Sequence, residues 1–142
     1  PEGVIHEPLN PLLLALVMGA GFVARGFSGD QEHLADVMKR AISYKGYALV
    51  DILQPCVSFN KVNTFQWYRE RVYKIEENYD RSDKLEAMEK AMEWGDRIPI
   101  GILYQEEKQT FNDKVAFLKE NKVLIDRERD MHKISSFLKD FV

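Results

Sequence analysis

The segment most suited to chemistry spans residues 54–60 and contains Cys56, the single cysteine of the chain. It follows an apolar run that ends at Leu53, and open α/β sheets place ligands and catalytic groups beyond the carboxyl ends of their strands. Pro55 favours an extended backbone before it and removes one amide donor. The amides of Val57, Ser58 and Asn60 are then predicted to point at the sulfur, where they would stabilise a thiolate.

The alternative for Cys56 is an inert, buried thiol that packs as a small hydrophobe, which is the commoner fate of a lone cysteine. One thiolate also cannot hold a metal without further ligands. The three histidines, His6, His33 and His132, lie far apart and have no metal-ligand spacing. Each is expected to be a surface or packed histidine. On the residues alone, both interpretations of Cys56 therefore remain open.

Two charged residues interrupt the apolar runs, Asp51 and Arg25. Asp51 is either a carboxylate aimed at a site, or a strand residue that lies near the sheet edge or pairs with a lysine or arginine. The second interpretation is favoured because buried carboxylates exist mostly in pairs. Arg25 could face an anion at the carboxyl edge of the sheet, but surface exposure is the expectation. The chain shows neither a nucleophile-elbow pattern nor a glycine-rich phosphate loop.

The composition predicts a soluble globular chain. Of its 142 residues, 45% are hydrophobic and 30% charged, and the net charge of −3 gives no reason to expect nucleic acid as a partner. The longest apolar run, residues 11–24, is too short to span a membrane. A single cysteine excludes an internal disulfide framework, which favours the cytoplasm. The chain has no initiator methionine, and we expect it to continue a longer polypeptide.

The first sixty residues predict helices alternating with strands. Asn10 and Pro11 open a helix that Gly19 ends. Residues 21–25 then read as a short buried strand, 31–45 as an amphipathic helix and 47–53 as a strand covered on both faces. This order is typical of the back half of an open α/β sheet, with the two strands parallel and helix 31–45 as their crossover.

The remaining residues predict a different, mostly helical region. Asn63 is expected to cap a helix that reaches about Tyr73, and a second helix is expected at 83–94. Residues 99–104 are expected to form a strand or an extended docking arm. Amphipathic patterns predict further helices at 111–119 and 131–141. The chain thus divides into residues 1–60, half of an α/β domain, and residues 61–142, a mostly helical extension.

From about residue 5 to residue 104, the chain resembles the beta subunits of 2-oxoacid:ferredoxin oxidoreductases. The motif at residues 54–60 is the most specific part of this resemblance. Past residue 105 there is none. The other segments that carry it are Pro8-Leu9-Asn10-Pro11, Ala15-Leu16, Gly19-Ala20, Phe22-Val23-Ala24-Arg25, His33-Leu34, Ala41-Ile42, Lys45-Gly46, Asn63-Thr64, Trp67-Tyr68, Glu93-Trp94 and Ile98-Pro99-Ile100-Gly101-Ile102.

The resemblance implies the carboxy-terminal half of a thiamin diphosphate-binding fold, followed by a mostly helical tail. In this family a 2-oxoacid is decarboxylated on thiamin diphosphate, electrons pass through a [4Fe-4S] cluster to ferredoxin, and the acyl group goes to coenzyme A. Cys56 takes the place of the fourth cluster ligand, in a motif where Ser58 replaces the usual threonine. Residues 93–102 favour the 2-oxoglutarate or general 2-oxoacid branch.

The family's Gly-Asp-Gly segment, which holds Mg²⁺ and the diphosphate, is absent from these residues, as are the other three cluster cysteines. We therefore expect a subunit fragment that binds neither thiamin diphosphate, Mg²⁺ nor a cluster alone and contributes no catalytic residue. Its expected partners are the alpha subunit, the upstream half of the beta subunit and ferredoxin. The alternative is a stand-alone, non-catalytic interaction module derived from the same fold.

Overall fold

A computed structural model describes residues 5–115, Leu118, residues 124–126 and Lys139. The chain forms two compact units, of which the first ends at Lys108. The second unit contains helix α5 (Phe111–Lys114) and a 3-10 helix at Leu124–Asp126. The elements of the first unit are α1 (Pro11–Val17), β1 (Phe22–Phe27), α2 (Gln31–Ser43), β2 (Ala48–Leu53), α3 (Phe65–Arg69), β3 (Val72–Lys74), α4 (Lys84–Met92) and β4 (Ile98–Gln105).

Side-chain caps fix where the main helices begin. The Asn10 side chain accepts the amide of Leu13, as predicted for a helix opened by asparagine and proline. Asp30 and Asp83 cap α2 and α4 in the same way. Gly19, with φ +86°, follows the end of α1 and adopts the left-handed conformation that glycine tolerates best. No described helix has the length and apolar character of a membrane span, and the longest, α2, has 13 residues.

The sheet of the first unit has the strand order β2-β1-β4-β3. Strands β1 and β2 are parallel and are joined through α2, which packs against both. The predicted parallel pair with a crossover helix is therefore confirmed. Strand β4 runs antiparallel to β1, and β3 runs parallel to β4. The division predicted after residue 60 stays a prediction, although β4, which follows that boundary, belongs to the same sheet.

Helices cover both faces of the sheet, which confirms the α/β class. All six residues of β1 are buried, and its side chains alternate between the two faces. Val23 packs with Leu12 and Leu16 of α1 and with α4, whereas Phe22 packs with Val37 of α2. Strand β2 lies at the edge of the described sheet and is less buried than predicted for a strand covered on both faces.

A third apolar cluster underlies the carboxyl ends of β1 and β2. Phe27 and Leu53, the last residues of these strands, pack with Ile98 and Ile100 of β4 and with the side chains of α3. The rings of Phe65 and Tyr68 lie 5.9 and 5.7 Å from the ring of Phe27, measured between centroids. Helix α3 is thereby fixed against the same end of the sheet from which the Cys56 segment leaves.

The predicted helix from Asn63 to Tyr73 is wrong at both ends. Thr64, not Asn63, caps the helix, which ends at Arg69. The chain then enters β3, where Val72 pairs with Ile98 of β4. Residues 99–104 are a strand, as one of the two predicted alternatives had it. The helix predicted at 111–119 ends at Lys114, and the one predicted at 131–141 lies, apart from Lys139, outside the described residues.

Candidate functional site

Cys56 lies three residues beyond the end of β2 and is exposed. Leu53, from which the segment departs, pairs with Phe27 at the end of β1, and both side chains belong to the apolar cluster under α3. The sulfur is therefore carried by a short segment that leaves a fixed point of the sheet. This placement at the carboxyl edge agrees with the prediction, and the exposure of Cys56 contradicts the alternative of a buried thiol. The role of Cys56 as a ligand stays a prediction.

A tight turn brings backbone amides to the sulfur. The Asn60 amide donates to the Cys56 carbonyl oxygen at 3.2 Å and closes the turn. The amides of Phe59, Ser58 and Asn60, in order of effect, donate to the sulfur and lower the pKa of the Cys56 thiol because they stabilise its negative form. Sequence reasoning had named Val57 in place of Phe59.

Side-chain hydrogen bonds restrain the residues that follow Cys56. The Asn60 Oδ1 accepts the amides of Val62 at 2.9 Å and of Asn63 at 3.0 Å. Lys61 donates its Nζ to the Val57 carbonyl at 2.9 Å. Immediately afterwards, Thr64 caps α3. The turn at Cys56 is thus joined without a break to a helix that packs on the sheet.

The sulfur of Cys56 is accessible to solvent. Apolar side chains beside it, Val57 and Phe59, are exposed, and 93% of the Phe59 surface is accessible. No cluster of three or more histidine, cysteine or acidic side chains that could hold a metal exists among the described residues. The described part of the chain therefore provides one exposed cysteine sulfur and not a complete metal site.

Arg25 and Asp51 form a second polar feature at the same edge. The Arg25 Nε lies 3.3 Å from the Asp51 Oδ2, across the pairing of β1 with β2, and only 3% of the Arg25 side chain is exposed. The predicted pairing of Asp51 is confirmed, whereas the predicted exposure of Arg25 is wrong. Burial lowers the pKa of the Arg25 guanidinium, and the Asp51 carboxylate opposes that shift.

Arg25 also ties the strands to α4. Its Nη2 donates to the Ala91 carbonyl at 3.2 Å, and the Asn10 side chain donates to the same oxygen at 2.9 Å. The ring of Trp94 lies 5.6 Å from the guanidinium carbon. These groups border a cleft of about 630 Å³, whose apolar lining comes from Pro8, Leu9, Pro11, Leu53 and Met92. Because Asp51 offsets the arginine charge, the contacts indicate a structural role.

The lowered pKa of Cys56 has a direct chemical test in the folded chain. Since the thiolate is the reactive form, alkylation by iodoacetamide is expected to have its pH midpoint below that of an ordinary cysteine. The same chain unfolded in urea is the control, because the amides are then no longer held at the sulfur. Equal midpoints in the folded and unfolded chain would contradict the turn geometry.

Comparison with known families connects this geometry to an enzyme class. The family model for the carboxy-terminal region of the pyruvate ferredoxin oxidoreductase beta subunit matches residues 56–120, beginning at the cysteine itself. The chain is 44% identical to the "2-oxoacid:ferredoxin oxidoreductase subunit beta" of a Sulfolobus species, over 75% of this chain and 39% of that one. It is 41% identical to the protein of the same name from Saccharolobus solfataricus, over 82% of this chain and 42% of that one.

A solved structure shows the same relationship in three dimensions. The "2-oxoglutarate:ferredoxin oxidoreductase from Magnetococcus marinus with 2-oxoglutarate, coenzyme A and succinyl-CoA bound" has a TM-score of 0.80 and 36% identity, covering 96% of this chain and 47% of that one. The chain belongs to the family of 2-oxoacid:ferredoxin oxidoreductase beta subunits, of which it matches the carboxy-terminal portion. It spans about two fifths of the length of the curated relatives described above.

Proposed function

We propose that this chain is the carboxy-terminal part of the beta subunit of a 2-oxoacid:ferredoxin oxidoreductase and that Cys56 supplies one thiolate to its [4Fe-4S] cluster. The observation that carries the proposal is the exposed sulfur, held by three backbone amides at the carboxyl edge of the sheet. A buried, inert cysteine would be enclosed by apolar side chains. Cys56 instead presents its sulfur outward, where ligands from another segment can complete a cluster.

The residues of this chain fit one part of the site. Cys56 would bind iron as a thiolate, and the amides of Ser58, Phe59 and Asn60 would offset the negative charge that collects on the sulfur. A bound [4Fe-4S] cluster would supply one-electron transfer towards ferredoxin. Pro55 and the turn closed by Asn60 fix the direction in which the sulfur points.

Thiamin diphosphate and Mg²⁺ belong elsewhere in the proposed enzyme. The described residues contain no acidic cluster that would hold Mg²⁺, and the cleft at Arg25 has its charge offset by Asp51. We assign both cofactors to the upstream part of the beta subunit, where the family carries its Gly-Asp-Gly segment. The overall reaction is the oxidative decarboxylation of a 2-oxoacid to an acyl-coenzyme A. The similarity to the Magnetococcus marinus enzyme, whose structure contains 2-oxoglutarate, supports the 2-oxoglutarate or general 2-oxoacid branch of the family.

A chimeric subunit tests the proposal. The carboxy-terminal portion of the Sulfolobus beta subunit is replaced by these 142 residues, and the chimera is produced with the Sulfolobus alpha subunit. We expect it to assemble, to contain a [4Fe-4S] cluster detectable by electron paramagnetic resonance after reduction, and to reduce ferredoxin when a 2-oxoacid and coenzyme A are added.

The Sulfolobus enzyme without replacement is the positive control for assembly and signal. A chimera that assembles with the alpha subunit and binds thiamin diphosphate but contains no cluster would refute the proposed role of Cys56. Assembly with the alpha subunit but no cofactor and no activity of any kind would favour the stand-alone interaction module.

A further inference from the structure

We propose that Asn60 is the positioning residue for the iron ligand Cys56: its side chain holds the turn that aims three backbone amides at the sulfur. The inference rests on the proposed function, because it assigns Asn60 an effect on the cluster that Cys56 would bind. The Asn60 backbone amide is one of the three at the sulfur, whereas its side chain is not among the donors to it. It acts through the backbone of the turn.

Asn60 connects the two halves of the segment through its own backbone and side chain. Its amide reaches back to the Cys56 carbonyl at 3.2 Å, while its Oδ1 reaches forward to the amides of Val62 at 2.9 Å and Asn63 at 3.0 Å. A side-chain oxygen that accepts the amide two residues on is an Asx turn, and asparagine is well suited to it. This side chain therefore fixes the backbone on both sides of residue 60.

The hydrogen bonds to the Asn60 Oδ1 connect the turn to helix α3, which is packed on the sheet. Thr64 follows Asn63 directly and caps α3, accepting the Trp67 amide at 3.3 Å. The side chains of α3 pack against Phe27 and Leu53 in the apolar cluster at the end of the sheet. The turn is consequently supported at Leu53 before Cys56 and at α3 after it, and Asn60 is the link between the turn and the second support.

Loss of the Asn60 side chain would affect the sulfur more than the stability of the fold. The Val62 and Asn63 amides are near the surface, so water can replace the lost acceptor at small cost in unfolding free energy. Water does not restrain the backbone, however, and the amides of Ser58, Phe59 and Asn60 would then sample directions away from the sulfur. Amide hydrogen bonds favour the more negatively charged, reduced cluster. Weakening them lowers the reduction potential.

The closing experiment measures that potential in the complete chimeric enzyme by redox titration monitored with electron paramagnetic resonance. Asn60→Ala is expected to retain iron but to decrease the ratio of reduced to oxidised cluster about tenfold at a fixed potential, a shift of about 59 mV for a one-electron couple. Asn60→Ser keeps a neutral oxygen that can accept an amide, and is expected to shift the potential by less.

Asp83→Ala is the matched control, since Asp83 also accepts two amides, those of Leu85 at 2.9 Å and Glu86 at 3.0 Å, at the start of α4. It removes the same kind of double hydrogen bond away from Cys56, so the potential should stay at the wild-type value. A purely structural role for Asn60 would make the two alanine variants alike. A wild-type potential in Asn60→Ala, with the cluster present, overturns the inference.

A second measurement needs no cluster. In the 142-residue chain, hydrogen exchange at the amides of residues 58–60 should be several-fold faster in Asn60→Ala than in the wild type, and unchanged in Asp83→Ala. Unchanged exchange at residues 58–60 overturns the inference. If the unaltered chimera contains no cluster, the proposed function fails, while this exchange result still decides whether Asn60 holds the turn. Should Asn60→Ala fail to fold, Asn60→Ser decides both measurements.

Discussion

Cys56→Ser in the chimeric enzyme is expected to leave thiamin diphosphate bound and to produce a labile or altered [4Fe-4S] cluster, with a sharp fall in ferredoxin reduction. A serine oxygen is a harder and more basic ligand than a thiolate. Loss of a residue that merely orients a ligand costs about 10–100-fold in metal affinity, and replacement of the ligand itself should cost at least that much. Decarboxylation itself can persist, because thiamin diphosphate is assigned to a different part of the enzyme.

The measurement combines iron content, the electron paramagnetic resonance spectrum of the reduced enzyme and the rate of ferredoxin reduction. Lys39→Ser on the exposed face of α2 introduces the same residue away from the sulfur and serves as the control. An unchanged spectrum together with full ferredoxin reduction in Cys56→Ser would show that Cys56 is not a cluster ligand.

Arg25→Ala is expected to lower the free energy of unfolding of the chain by about 3 kcal/mol, because it breaks a largely buried ion pair from one side. The Asp51 carboxylate, 26% exposed, would lose its partner, and the Ala91 carbonyl would lose one of its two donors. The Trp94 ring would lose the guanidinium beside it. Because Asp51 is partly exposed, water can solvate its carboxylate after the arginine is removed. The expected loss of unfolding free energy therefore lies at the low end for buried ion pairs.

Urea unfolding monitored by circular dichroism measures this difference. Arg40→Ala is a matched control: Arg40 pairs with Asp36 at 3.1 Å on α2, but both side chains are more than half exposed, at 57% and 61%. Removal of an exposed pair typically changes stability by less than about 1 kcal/mol. Equal losses of unfolding free energy in the two variants would mean that burial of Arg25 does not increase its contribution to stability.

The elements of the first sixty residues were predictable because local signals agree there. Asn10 with Pro11 marks a helix start, Gly19 marks its end, and helical spacing over residues 31–45 predicts α2. The helix predicted from Asn63 to Tyr73 covers α3 but is too long at both ends, and strand β3 was missed. A five-residue helix and a three-residue strand carry little periodicity, and β3 exists because Val72 meets Ile98 of β4, a contact that local sequence does not encode.

The geometry of the candidate site also depends on contacts that the local sequence does not encode. The position of Cys56 beyond an apolar run could be predicted, but the identity of its amide donors depends on where the turn closes, which is set by the Asn60 amide. Burial of Arg25 depends on register: Arg25 lies across from Asp51 only because Phe22 pairs with Ala48. A charged residue inside each of two neighbouring apolar runs was the available signal, and it was used for Asp51 but not for Arg25.

The order of the strands also bears on how the chain folds. The central strand β1 receives its first neighbour from β2, nearby in sequence, but Val23 must find Tyr104 of β4 to complete its second edge. Closing so long a loop is entropically costly, and sheets built from distant partners fold slowly. During synthesis, one edge of β1 would stay without a paired strand until residue 105 has left the ribosome. A ribosome-tethered chain that stops before Ile98 should therefore remain protease-sensitive.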